Sequence, residues 1–270
     1  MEAKGHDRKA MVCFLEFLGT ALFIFGIIMT NGPVSIPFSL FASVVIFGDI
    51  TGGHFNPAVT LGVYLQTGDY VKNLPFMIMI WFSQFCGGFL AGGLSYLGSF
   101  GINADFLPAL APKNPITGAI DNVHEDDSFT MYIPVLVNEV VCTFLFVSVI
   151  LMVKGKHTAD GRGGVHAAIC VVSTLLCVIS GTNSLGACFN PAVATGVTSY
   201  SVYRLSPELD RGGYSNEYLY AYVWCYMLGP LTGALIAGLY HNIIHKRFFE
   251  PEDNTHGMGQ DASERMLSNH

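Results

Sequence analysis

His54-Phe55-Asn56-Pro57-Ala58-Val59-Thr60-Leu61-Gly62-Val63 returns as Cys188-Phe189-Asn190-Pro191-Ala192-Val193-Ala194-Thr195-Gly196-Val197, with seven of the ten positions identical. A second echo stands upstream of each copy: Glu16 with Thr20, then Glu139 with Thr143. Chance does not produce a ten-residue match and its flanks in matching places, so the chain reads as two copies of one unit. Each copy runs as a glutamate-bearing apolar stretch, a second apolar stretch, the Asn-Pro-Ala segment, and a third apolar stretch.

The apolar stretches lie at about 12–30, 34–50, 76–97, 132–153, 166–182 and 219–244. Each approaches the roughly 20 helical residues that cross a ~30 Å hydrocarbon core. Composition agrees, since 51% of the 270 residues are hydrophobic and 12% are charged. An ordinary soluble domain carries roughly 25% charged residues. The expected fold is therefore an all-α membrane protein of six transmembrane helices, which leaves no room for a separate soluble domain. Three spans per copy is an odd number, so the second copy sits upside down relative to the first. Inverted repeats of this kind build transport folds around a site near the bilayer midplane. The first span lacks a small-residue cleavage site and reads as a retained helix.

Proline is favoured at the first helical position, and asparagine just before it is a strong N-cap. Asn56 and Asn190 are thus expected to cap short helices at about 57–66 and 191–200. Ten residues at 1.5 Å rise give roughly 15 Å, half the membrane core. Two such re-entrant half-helices, entering from opposite faces and meeting tip to tip, complete a seventh span. Their leaders, 51–55 and 181–189, are glycine-rich and polar, and such backbone survives at membrane depth where it lines a wet cavity. Each helix N-terminus carries about half a positive charge. The converging caps therefore oppose cations, and each asparagine NH₂ is expected to donate to a passing oxygen. Buried Glu16 and Glu139 need partners in the membrane, and the loop N–H groups are the expected ones. The competing reading, a proton relay in a pump or antiporter, fits a symmetry-related pair beside two caps less well. Gln84 and Asp49 find no assigned role.

The charges supply orientation. Ten Lys and Arg fall in the N-terminus, the second and fourth loops or the C-terminus, against Lys113, Arg204 and Arg211 in the other loops. The positive-inside rule then puts both termini in the cytoplasm. No basic cluster points to nucleic acid. Six of the seven cysteines lie inside apolar stretches without metal-ligand spacing, so neither a metal nor another cofactor is expected. No nucleophile–base pair or phosphate loop suggests an enzyme.

Gly52 to Thr60 and Gly186 to Val193 resemble the two signature loops of the aquaporin (major intrinsic protein) family, and the resemblance covers about residues 12–245. It implies a right-handed bundle of six spans plus two half-helices, a homotetramer with one pore per subunit, and passage of water and small neutral solutes across the lipid bilayer. The pore residues it implies are Asn56, Pro57, Ala58, Asn190, Pro191 and Ala192. Water-selective members carry arginine after the second Asn-Pro-Ala, where this chain has Val193. The other constriction positions, counted from the asparagines, fall on Ile36, Val178 and Ala187. That apolar filter, similar in its valine to plant vacuolar-membrane members, is expected to admit urea, ammonia, hydrogen peroxide or glycerol beside water.

The domain reading is an N-terminus at 1–11, a channel at 12–245 (repeats at about 12–115 and 130–245), and a disordered cytoplasmic tail at 246–270. His54 is expected to brace its loop by bonding neighbouring carbonyls. His157, Arg162 and His166 surround the fourth loop and are candidates for gating. Gly88/Gly92 and Gly229/Gly233 mark close helix packing, within a subunit or between subunits. A non-conducting adhesion or scaffold role, or a proton-coupled carrier, are the rival functions. Plasma membrane and vacuolar membrane are both compatible with the sequence.

Overall fold

The computed structural model describes residues 5–30, 32–100, 110, 112, 128–153, 163–182, 185–205 and 220–249. Among these residues the regular structure is entirely helical. The first half comprises α1 (Gly5–Thr30), α2 (Ser35–Thr51), α3 (Pro57–Thr67) and α4 (Tyr70–Gly98). The second comprises α5 (Ser128–Val153), α6 (Gly163–Thr182), α7 (Pro191–Leu205) and α8 (Val223–Tyr240), which runs on through a π-helical turn at His241–His245.

Five of these helices are long and apolar enough to cross a membrane, and α2, at 17 residues, is the short sixth. At 1.5 Å per residue α2 spans roughly 25 Å, near the lower limit for a crossing. α1 starts at Gly5, ahead of the apolar run, because the polar first turns continue the helix without a breaker. α3 stops where Gly68 takes a left-handed φ of 80°, as a helix C-terminus commonly does. α7 runs to Leu205, five residues beyond the expected end at 200. Serine hydroxyls there bond back to the carbonyls four residues earlier, Ser199 to Thr195 and Ser201 to Val197, and the stretch contains no glycine or proline to end the helix.

The two halves interlock. α1 packs on α4 as α5 packs on α8, and α1 on α2 as α5 on α6. The third long helix of each half then lies against the half-helix of the other half: α4 on α7 and α8 on α3. This pairing expresses the inverted repeat in contacts.

Glycines make the crossings possible. A Cβ built on Gly88 would lie 2.6 Å from the carbonyl oxygen of Ala192, and one on Gly196 would lie 2.8 Å from that of Gly88. One built on Gly229 would meet Cβ of Glu139 at 2.5 Å. Both small-residue pairs of the sequence therefore serve packing within the chain. The outer surface carries exposed Phe82, Leu97 and Phe100, while Glu16, Gln84 and Glu139 are fully buried. Apolar outside and polar inside is the arrangement a bilayer solvent favours.

Candidate functional site

Asn56 stands before α3 with extended backbone, φ −159° and ψ 119°, and its Oδ1 accepts the N–H of Ala58 at 2.8 Å. Asn190 does the same for α7, with Ala192 N–H at 2.9 Å and Val193 N–H at 3.4 Å. Proline follows each asparagine, so the missing N–H falls where no helical donor is needed. The residue before each cap is strained: Phe55 has φ 45° and Phe189 φ 55°. Left-handed backbone at a bulky residue persists only where surrounding contacts over-determine it, and it clusters at functional sites.

The contacts that do so are crossed. Asn56 Nδ2 donates to the carbonyl of Phe189 at 2.9 Å, and Asn190 Nδ2 donates to the carbonyl of Phe55 at 2.9 Å. Each asparagine NH₂ is thus only partly committed. One of its two N–H bonds ties the opposite loop, and one is left to donate. The two helix N-termini, Asn56 and Asn190 included, are locked together tip to tip.

Behind the tips sit the two glutamates. Glu16 accepts His54 N–H at 3.0 Å and Phe55 N–H at 2.8 Å. Glu139 accepts Cys188 N–H at 2.8 Å and Phe189 N–H at 2.7 Å. These bonds tie each loop to the glutamate-bearing helix of its own half and commit two of each loop's N–H groups.

The two halves differ beyond this point. Gln84 Nε2 donates to Glu16 Oε2 at 2.8 Å and to Thr60 Oγ1 at 2.9 Å. Thr60 Oγ1 donates to the Asn56 carbonyl at 3.1 Å and meets His54 Nδ1 at 3.2 Å. A hydroxyl has one proton and two lone pairs, so with Gln84 and His54 both pointing at it, His54 Nδ1 carries the hydrogen. The Thr60 hydroxyl is thus one of the contacts that hold the His54 ring. In the second copy Cys188 and Ala194 replace His54 and Thr60, and Cys188 Sγ donates to the Asn190 carbonyl at 3.0 Å.

Gln84 is one of three residues whose part was not legible in advance. Its signal was a neutral polar residue buried in an apolar span. Trp81 Nε1 holds the Pro57 carbonyl at 2.9 Å, and Tyr226 Oη holds the Leu185 carbonyl at 2.8 Å. Asp49 is exposed in the last turn of α2.

Ile36 lies half-buried in the first turn of α2, Val178 is buried near the end of α6, Ala187 is half-buried in the second loop, and Val193 is buried in the first turn of α7. All four belong to, or pack on, one apolar cluster that also holds Phe55, Phe189 and Ala192. His166 is exposed near the start of α6, its Nε2 3.9 Å from Cys170 Sγ. His157 and Arg162 lie outside the described residues, as does the stretch 250–270.

Comparison with known proteins adds four findings. The family described as Major intrinsic protein matches residues 6–241. Aquaporin-8 of Notomys alexis is 29% identical over 245 residues, covering 87% of this chain and 82% of its own length. Glycerol uptake facilitator protein-like 6 of Lactiplantibacillus plantarum is 27% identical over 236 residues, covering 82% and 92%. The X-ray structure of the aquaglyceroporin from Plasmodium falciparum superposes with a TM-score of 0.67 at 19% identity, covering 88% of this chain and 97% of that one.

Proposed function

The chain belongs to the major intrinsic protein family, and from that premise we propose that it conducts water and small uncharged solutes passively while excluding protons and other ions. It is a membrane channel and not an enzyme. The observation that carries the proposal is the crossed pair of caps, Asn56 to the Phe189 carbonyl and Asn190 to the Phe55 carbonyl.

A solute oxygen reaching the midplane meets two remaining amide N–H donors and two converging helix N-termini. Water there accepts two hydrogen bonds and turns its own hydrogens away toward both mouths. A single-file water so oriented cannot relay a proton across the centre. The positive ends of the half-helices raise the energy of a cation at the same point, where its hydration shell is already partly lost. Neutral solutes pay neither penalty.

Ile36, Val178, Ala187 and Val193 form the outer constriction in this reading. With valine in place of a fixed guanidinium, that constriction is wide and poor in donors, so urea, ammonia, hydrogen peroxide or glycerol pass beside water. The similarity to a glycerol uptake facilitator supports this breadth. The unit works as a homotetramer with both termini cytoplasmic, in the plasma or a vacuolar membrane. Asparagine at both caps speaks against a purely adhesive role, and a passive pore speaks against proton coupling.

Purified protein in vesicles, shrunk or swollen by stopped flow against water, urea and glycerol gradients, tests the proposal. Water flux above empty vesicles, unchanged by a pH gradient, is expected. Flux that follows the pH gradient would favour the carrier, and no flux at all the scaffold.

A further inference from the structure

The inverted repeat can be laid on itself residue by residue. A Cβ built on Gly87 would meet Thr20 Cβ at 3.0 Å and the Phe17 carbonyl, and one on Gly233 would meet Thr143 Cβ at 3.0 Å and the Val140 carbonyl. Phe17 and Val140 each follow the glutamate of their half, so Gly87 of α4 corresponds to Gly233 of α8. Counting three residues back pairs Gln84 with Pro230, and seven back pairs Ile80 with Tyr226.

That register exposes an exchange of supports. In the first half Gln84, Thr60 and His54 form a polar brace behind the loop. Their counterparts Pro230, Ala194 and Cys188 cannot rebuild it, since proline has no donor and alanine no hydroxyl. The second half instead has a phenol where the first has an isoleucine. Tyr226 is fully buried, and its hydroxyl donates to the Leu185 carbonyl at 2.8 Å. Leu185 is followed by Gly186, whose left-handed φ of 73° is the pivot of the turn, and then by Ala187. Fixing the carbonyl on one side of a glycine pivot fixes the direction in which the chain leaves the other.

We propose that Tyr226 is a positioning residue for solute selection, holding the Leu185 carbonyl from behind so that Ala187 keeps its place in the outer constriction. This rests on the reading of Ala187 and Val193 as constriction residues. It assigns selectivity in part to a side chain that no solute touches. The first half needs no such tie, because its loop is held by the Gln84 brace.

The test uses the full chain in vesicles and compares wild type, Tyr226→Phe, Val193→Arg and the double variant. Phenylalanine keeps the ring packing and removes only the hydroxyl. The glycerol-to-water and urea-to-water permeability ratios in Tyr226→Phe should shift by about two- to five-fold, the size of one lost hydrogen bond. Hydrogen–deuterium exchange of 185–189 should quicken while that of 52–56 stays as it was. In the Val193→Arg background the shift should shrink, because both changes act at one constriction. Unchanged ratios and unchanged exchange in Tyr226→Phe, with Val193→Arg altering the ratios, would overturn the inference and leave the constriction reading intact. A ratio shift in Tyr226→Phe with none in Val193→Arg would support the inference and move the constriction away from Val193.

Discussion

Replacing Glu139 by glutamine tests the loop architecture where it has least redundancy. The carboxylate accepts Cys188 N–H at 2.8 Å and Phe189 N–H at 2.7 Å in a site of 0% exposure. Glutamine keeps one acceptor and turns an NH₂ toward the other donor. One loop N–H is then stranded at membrane depth, at a cost of about 1–3 kcal/mol, and the lost hydrogen bond adds about 1 kcal/mol. The expected destabilisation is therefore roughly 2–4 kcal/mol. At Glu16 the same substitution meets a different surrounding. The buried Oε1 of Gln84 has no hydrogen-bond partner, and turning that amide over offers it to the new NH₂ of residue 16 and to the Thr60 hydroxyl, which turns its proton to it in exchange for the donor it loses. About 1 kcal/mol is recovered in this way. Pro230, which occupies the corresponding place beside Glu139, offers nothing. Thermal unfolding of both variants in detergent should show Glu139→Gln lowered by roughly 5–15 °C, and Glu16→Gln by less, at ~2–4 °C per kcal/mol for a chain of this size. Equal losses, or a greater loss for Glu16→Gln, would refute the argument from asymmetric bracing.

Three further outcomes are expected. Val193→Arg, which puts a cation into the first turn of α7, should cut urea and glycerol flux at least several-fold while sparing water, measured by stopped-flow light scattering. Asn190→Ala removes the acceptor of Ala192 N–H and the donor to the Phe55 carbonyl; the lost cap costs about 1 kcal/mol, and proton leak in pH-dye-loaded vesicles should rise above wild type. Gly88→Ala would drive a Cβ to 2.6 Å from the Ala192 carbonyl, costing about 1–3 kcal/mol by overpacking. Gly93→Ala on the same helix, with nothing within 4 Å of its Cβ, should melt no lower than wild type.

The spans and half-helices were legible because their signals are periodic or local. Apolar length, an Asn-Pro cap and a repeated decapeptide each read directly as geometry. What was not legible depends on which helices meet. Gln84 is an isolated polar residue in an apolar run, and only the packing of α4 on α1 brings it to Glu16. Tyr226 lies 41 residues from the carbonyl it holds. The crossed asparagine bonds join residues more than 130 apart, so sequence could supply the caps but not what the caps hold. The length of α7 was missed for a local reason: residues 201–205 hold neither glycine nor proline, so α7 has no stop of the kind Gly68 supplies to α3.

Osmotic water permeability of vesicles carrying the purified full chain, recorded together with proton flux in the same preparation, tests the paired-cap pore most directly. The expected result is water permeability well above that of empty vesicles, with proton permeability at the empty-vesicle level. Water flux no greater than that of empty vesicles, or proton flux rising in step with it, would contradict a pore built on Asn56 and Asn190.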